Sequence, residues 1–242
     1  CRVAASVGYV IAAELRAHGV DMTFAPVLDI DYGRSTVIGD RALHSDPRVV
    51  GMLAAHLTHG LLLAGMANCG KHFPGHGWAE ADSHIALPVD NRSRKDILKD
   101  AAQYRWLAPM LAGVMPAHVV YSQIDQQPAG FSRQWITLLR SELGFTGAVF
   151  SDDLLMAGAG AAGTVSDRAK ASLDAGCDFA LVCNDTTAMD QVLDNVTWTP
   201  GPAFDARLAR LEPRGAPLLM SELRDTDLYR NACRDVASLT SQ

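Results

Sequence analysis

The segment Lys71-His72-Phe73-Pro74-Gly75-His76-Gly77, followed by Asp82-Ser83-His84, holds the densest set of proton-moving groups in the chain. Imidazole titrates near neutral pH, with an unperturbed pKa of about 6.5, so His84 can both give and take a proton there. Asp82 lies just upstream of it. With a bend between them, the carboxylate holds one ring nitrogen and aims the other at a substrate, as His–Asp pairs do in acid/base sites. The bland alternative is a solvated loop in which both side chains face water. Pro74, Gly75 and Gly77 make a chain that turns sharply and continues as neither strand nor helix. The connection from Phe73 to Pro88 is long, and long ordered connections in compact domains are commonly functional.

A second segment, Val149-Phe150-Ser151-Asp152-Asp153-Leu154, runs from an apolar strand straight into two carboxylates. A carboxylate at a strand end can attack an anomeric carbon and form a glycosyl ester. Alternatively such a residue caps the following turn. The pair reads as one of each, with Asp152 chemical and Asp153 structural. His72, His76 and His84 also admit a metal-dependent hydrolase. The spacing of His72 and His76 suits zinc on a helix, but Pro74 and Gly75 between them forbid a regular helix. No metal or other cofactor is therefore expected.

Groups so far apart in sequence need a scaffold that gathers strand ends. Short apolar runs alternate with longer amphipathic stretches, the mark of repeated β–α units and a parallel sheet. Strands are predicted near Thr23–Leu28, Ala67–Lys71, Gly113–His118, Ala148–Ser151 and Phe179–Cys183. Helices are predicted near Arg2–His18, Pro47–Ala64, Arg94–Leu111, Arg133–Leu143, Ser166–Ala175 and Ala188–Asn195, then near Ala203–Leu211 and Ser221–Ser238. Asp46 before Pro47, Ser132, and Ser166 are candidate N-caps, while Gly144 and Gly176 are candidate stops. Polar residues follow the strands at Asp29, Lys71-His72, His118 and Asp152-Asp153. In a parallel barrel these ends converge on the face that carries the active site.

The totals agree with an enzyme of this kind. A chain of 242 residues, 48% hydrophobic, can bury a sizeable core as one α/β barrel or two smaller domains. A net charge of −6 argues against a nucleic-acid partner, which needs a clustered basic face. No apolar run reaches the roughly 18 residues of a membrane span. The 5 cysteines are scattered, without a CxxC pair, and read as reduced, mostly buried residues of a cytosolic protein.

The Lys-His-Phe-Pro-Gly-His-Gly run with Asp82-Ser83-His84 resembles the hallmark loop of glycoside hydrolase family 3. More narrowly, it is similar to that of the bacterial cytoplasmic β-N-acetylglucosaminidases of peptidoglycan recycling. Ser151-Asp152-Asp153-Leu154 with Met156 resembles the nucleophile motif of that subfamily. Ala25-Pro26-Val27-Leu28-Asp29, Ile38-Gly39-Asp40-Arg41, Met115-Pro116-Ala117-His118 and Ala175-Gly176-Cys177-Asp178 extend the similarity along nearly the whole chain.

The resemblance implies a TIM-like (β/α)8 barrel with Asp152 as nucleophile and His84 as general acid/base, supported by Asp82. It implies Lys71 and His72 on sugar hydroxyls and Arg41 helping to hold the substrate. That substrate would be terminal N-acetylglucosamine β-1,4-linked in an anhydro-muropeptide, cleaved with retention by a monomeric cytoplasmic enzyme. An imidazolium can protonate the leaving oxygen without a second carboxylate beside the nucleophile, where two close carboxylates would raise one pKa. The family's Asp-x-Glu-Gly-Gly-type motif has no match here, and Cys1 opens inside a helical pattern. The expectation is therefore a barrel truncated at its N-terminus, lacking the first strands, within one catalytic domain over 1–242. Helices over 203–242 are expected to pack on it. A non-catalytic sugar-binding fragment is the alternative.

Overall fold

The structure, a computed structural model, describes residues 1–81, 83 and 87–239. Helix α1 (Arg2–Ala17) leads into strand β1 (Met22–Thr23), and α2 (Pro47–Leu63) leads into β2 (Ala67–Phe73). After the long connection come β3 (Val89–Asp90), α3 (Arg94–Asp100), α4 (Ala102–Leu107), β4 (Gly113–Pro116) and β5 (Val120–Tyr121). Helix α5 (Arg133–Thr137), β6 (Ala148–Asp153), α6 (Val165–Ala175), β7 (Phe179–Leu181) and α7 (Thr186–Asn195) follow. The chain closes with α8 (Phe204–Leu208), α9 (Met220–Asp225) and α10 (Asp227–Ala237).

Five strands form one parallel sheet in the order β1-β2-β4-β6-β7, curled as a half-barrel. Among the described residues, β1 and β7 each pair on one side only, so the sheet is open at both edges rather than closed into a ring. Side chains alternate across a strand, and the two faces bury different clusters. Ala148 and Phe150 of β6 pack with Cys69 and Met115 on one face. Val149 and Val114 face the other way, into the larger core of Leu28, Phe73, Tyr104 and Trp135 beneath the helices. Asp152 continues the series of Ala148 and Phe150.

Local chemistry sets most helix ends. Asp46 accepts the Arg48 N–H with Pro47 at the first helical position, and Ser132 accepts the Trp135 N–H. Gly176 closes α6 in the left-handed conformation. The start of α6 differs from expectation. Thr164 forms a reciprocal capping box with Asp167, while the Ser166 hydroxyl donates to the Gln191 carbonyl.

The other departures have tertiary causes. The expected Thr23–Leu28 strand pairs regularly only at Met22–Thr23, because Pro26 has no N–H to give; Val27 then bridges Lys71 singly. The expected Arg94–Leu111 helix breaks at Ala101. On either side of that break, Asp100 turns inward to Arg92 and Gln103 donates to the Leu28 carbonyl. The expected Arg133–Leu143 helix widens to a π-turn over Leu138–Glu142. The expected Ser221–Ser238 helix is interrupted at Thr226, whose hydroxyl caps α10.

The C-terminal helices return to α1. Ser6 donates to Asp235 at 2.8 Å, the Tyr229 hydroxyl donates to Glu14, and Tyr9, Ala13, Leu223 and Ala232 share an apolar cluster. All five cysteines are free, but only Cys69 and Cys177 are buried, fewer than expected. Among the described residues no helix is long and apolar enough to cross a membrane.

Candidate active site

The connection after β2 is held from below at several points. The fully buried Tyr121 of β5 donates its hydroxyl to the Gly75 carbonyl at 3.0 Å. Strands β3 and β5 pair in parallel, Val89 with Val120 and Asp90 with Tyr121, where the connection ends. Sequence reading misses this ribbon, because two-residue strands carry no periodicity. Gly77 lies against the Ile30 backbone so closely that a Cβ there would stand 1.8 Å from the Ile30 carbonyl oxygen. Only backbone can yield to it. Gly77→Ala is expected to cost about 3 kcal/mol through overpacking, seen as a melting temperature lowered by roughly 6–12 °C. An unchanged melting temperature would show that the connection is not seated on Ile30.

Asp29 is the organising residue of this connection. It is fully buried and accepts three donors: His72 N–H at 3.3 Å, His72 Nδ1–H at 2.7 Å and His76 N–H at 2.7 Å. Burial alone would raise its carboxyl pKa. The facing His72 ring, with its hydrogen bond and that of the His76 N–H, outweighs burial and holds the pKa below the ordinary value. The bond to Nδ1 fixes the His72 ring, which also lines the cavity above. The sequence marks Asp29 only as a polar residue at a strand end; its pairing with His72 is a tertiary fact.

Strand ends β2 and β6 frame a cavity of about 120 Å³ lined by Val37, Ile38, Arg41, Lys71, His72, His76, Ser83, Asp152 and Met156. Of the expected site residues, Asp152, Arg41, Lys71 and His72 thus line one cavity. Asp82 and His84 lie outside the described residues, although Ser83 between them contributes to the wall. Lys71 and His72 are joined by a cis peptide bond at the point where β2 shifts register against β4. The exposed Arg41 ends the short 3-10 turn Gly39–Arg41, and its guanidinium donates to the Val37 carbonyl.

The two adjacent aspartates differ in what they touch. Asp152 is half-buried, and its Oδ1 accepts the N–H of Asp153 at 2.9 Å. Asp153 turns to the backbone, accepting the N–H groups of Leu155 and Cys183 across to the chain beyond β7. Behind them the buried His118 donates Nε2–H to the Asp153 carbonyl at 3.1 Å. Burial lowers the pKa of His118, against the opposing effect of the nearby Asp152. Burial likewise lowers that of His76. Ser151 accepts the Leu181 N–H where β6 and β7 lose register.

The metal alternative meets a different geometry. His72 lies in β2, 6.3 Å from His76 between ring centroids, with Nδ1 held by Asp29; His76 Nε2 lies 3.1 Å from Ser83 Oγ. Among the described residues, no group of three or more His, Cys, Asp or Glu side chains could hold an ion. The loop aromatics pack locally. Phe73 is buried against Tyr104 and Trp135, and Trp78 lies against the guanidinium groups of Arg34 at 4.1 Å and Arg92 at 4.7 Å.

Comparison with known proteins adds an independent line. Residues 1–212 match the N-terminal domain of glycosyl hydrolase family 3. The chain is 55% identical over 243 residues to a β-hexosaminidase of Bordetella avium, across 99% of this chain and 69% of that one. It is 54% identical to a β-hexosaminidase of Thiobacillus denitrificans, across 98% of this chain and 67% of that one. The crystal structure of NagZ from Neisseria gonorrhoeae in complex with N-trifluoroacetyl-D-glucosamine superposes with a TM-score of 0.90 at 42% identity. That superposition covers 99% of this chain and 70% of that one. The chain therefore belongs to glycosyl hydrolase family 3 and is a glycoside hydrolase related to the β-hexosaminidases.

Proposed function

We propose that the chain carries the active site of a retaining exo-β-N-acetylglucosaminidase. The observation that carries this reading is the single cavity shared by the Asp152 carboxylate, Lys71, His72 and Arg41 at the ends of β2 and β6. Similarity to β-hexosaminidases, and to a NagZ crystallised with an N-acylated glucosamine, supports the choice of sugar.

In the first step an Asp152 oxygen bonds to the anomeric carbon as the glycosidic C–O bond breaks. The leaving oxygen takes a proton from the His84 imidazolium. In the second step neutral His84 removes a proton from water, whose oxygen bonds to the same carbon as the Asp152 ester breaks. Two displacements at one carbon return the β configuration. Asp82 holds the His84 ring, while Lys71, His72 and Arg41 bind sugar hydroxyls. His72 is suited to this because Asp29 fixes the orientation of its ring beside the cavity. Within this class the substrate is terminal β-1,4-linked N-acetylglucosamine of anhydro-muropeptides, released during peptidoglycan recycling in the cytoplasm. The acting unit is a monomer, residues 1–242 form one catalytic domain, and its strands follow a TIM-like course.

An aryl β-N-acetylglucosaminide is expected to be cleaved with the β-anomer of the free sugar appearing first by NMR, at an undiminished rate after exhaustive dialysis against chelator. First appearance of the α-anomer would remove the two-step route. Loss of activity to chelator, restored by a divalent metal, would favour the metal route instead.

A further inference from the structure

Ser83 is only 2% exposed and is held from two directions. Its hydroxyl lies 3.1 Å from His76 Nε2, and its carbonyl accepts the N–H of Gly158 at 2.9 Å. Gly158 belongs to the 3-10 segment Ala157–Ala162, which follows β6 directly after Met156. It is wedged there: a Cβ would stand 3.1 Å from Ser83 O and 3.1 Å from both the Cβ and the carbonyl oxygen of His118. His118 donates in turn to the carbonyl of Asp153. At the other end, the His76 N–H is anchored on buried Asp29. An unbroken line of contacts thus joins the Asp29–His76 anchor to Ser83, Gly158, His118 and the backbone beside Asp152.

We infer that Ser83 and Gly158 form a latch that sets the placement of the loop bearing the acid/base residue relative to the end of β6. Both are positioning residues: neither need touch substrate, and each acts through the covalent or packing neighbour that does. The inference rests on the assignment of Asp152 and His84 under the proposed function. Ser83 is bonded directly to residue 84, so displacing it displaces the proton donor. An error of about 1 Å in placing a catalytic group can cost on the order of 10²-fold in rate. A latch of this kind acts on proton transfer selectively, whereas a residue that only supports the fold lowers every rate alike.

Leaving-group dependence separates the two cases. A dinitrophenyl glycoside departs with little need of a proton, whereas a phenyl glycoside requires one, and kcat/KM reports the first chemical step for both. In the full chain, Ser83→Ala and Gly158→Ala are expected to lower kcat/KM on phenyl β-N-acetylglucosaminide by about 30- to 100-fold. On the dinitrophenyl analogue they should change it less than about threefold. Circular dichroism identifies folded protein; should Gly158→Ala fail to fold, the smaller Ser83→Ala change decides alone. Equal losses on the two glycosides, or no loss on either, would overturn the latch while the function stands. A wild-type chain that cleaves neither glycoside sinks both readings together.

Discussion

Replacing Asp152 with alanine is expected to reduce turnover of an aryl β-N-acetylglucosaminide on the order of 10⁴-fold, the scale seen when a nucleophile acting within a catalytic unit is removed. The fold should be little disturbed. Asp152 is half-buried at the open end of β6, and its Oδ1 accepts the adjoining N–H of Asp153. A stability change below about 1 kcal/mol is expected for a site so placed. The loss is therefore chemical: without the carboxylate, no ester can form at the anomeric carbon. A fluorinated glycosyl donor should arrest the wild-type enzyme as an adduct, and mass analysis should place the sugar on the peptide containing Asp152. Labelling of Asp153 instead would contradict its two backbone bonds to Leu155 and Cys183 and overturn the assignment.

The second large effect is expected at Asp29, and it combines stability with activity. Asp29→Ala removes the common acceptor of the His72 N–H, the His72 ring and the His76 N–H, all in a buried setting. Removing the shared acceptor of three buried donors costs roughly 3–5 kcal/mol, because each donor left unpaired away from water costs about 1–3 kcal/mol. For a chain of this size the melting temperature should fall on the order of 10 °C. The His72 ring would also lose its fixed orientation, so any folded fraction should show a raised KM.

The pH dependence has a definite sign. The folded pKa of Asp29 lies below its unfolded value, because the His72 and His76 contacts outweigh the opposing burial. Its contribution is fully present above the unfolded pKa of about 3.9 and is lost as pH falls through the folded value. Wild-type stability should therefore drop on acidification below about pH 4, and Asp29→Asn should flatten that drop, measured as the urea midpoint against pH. Equal slopes for the two proteins would show that Asp29 does not carry the linkage.

Much of this architecture is written locally. The alternation of apolar runs with amphipathic stretches marks the strands β2, β4 and β6, because each strand is buried on both faces and each helix on one. Asp46, Ser132, Gly144 and Gly176 mark helix ends because capping depends on a few neighbouring atoms. The polar run after β2 and the aspartates of β6 are visible for the same reason: strand ends interrupt an apolar pattern. The aspartate facing the cavity is the one in phase with Ala148 and Phe150, a consequence of the two-residue period of a strand.

Only the tertiary structure decided the rest. Asp29 meets His72 across 43 residues and His76 across 47, through the parallel pairing of neighbouring strands rather than any local preference. The β3–β5 ribbon, the break at Ala101 and the contact of Gly158 with Ser83 have the same origin. Such contacts depend on sheet register and on how closely distant backbones can approach. A residue's own neighbours in the chain do not encode these quantities, so the groups capable of chemistry are legible in the sequence while the partners that aim them are not.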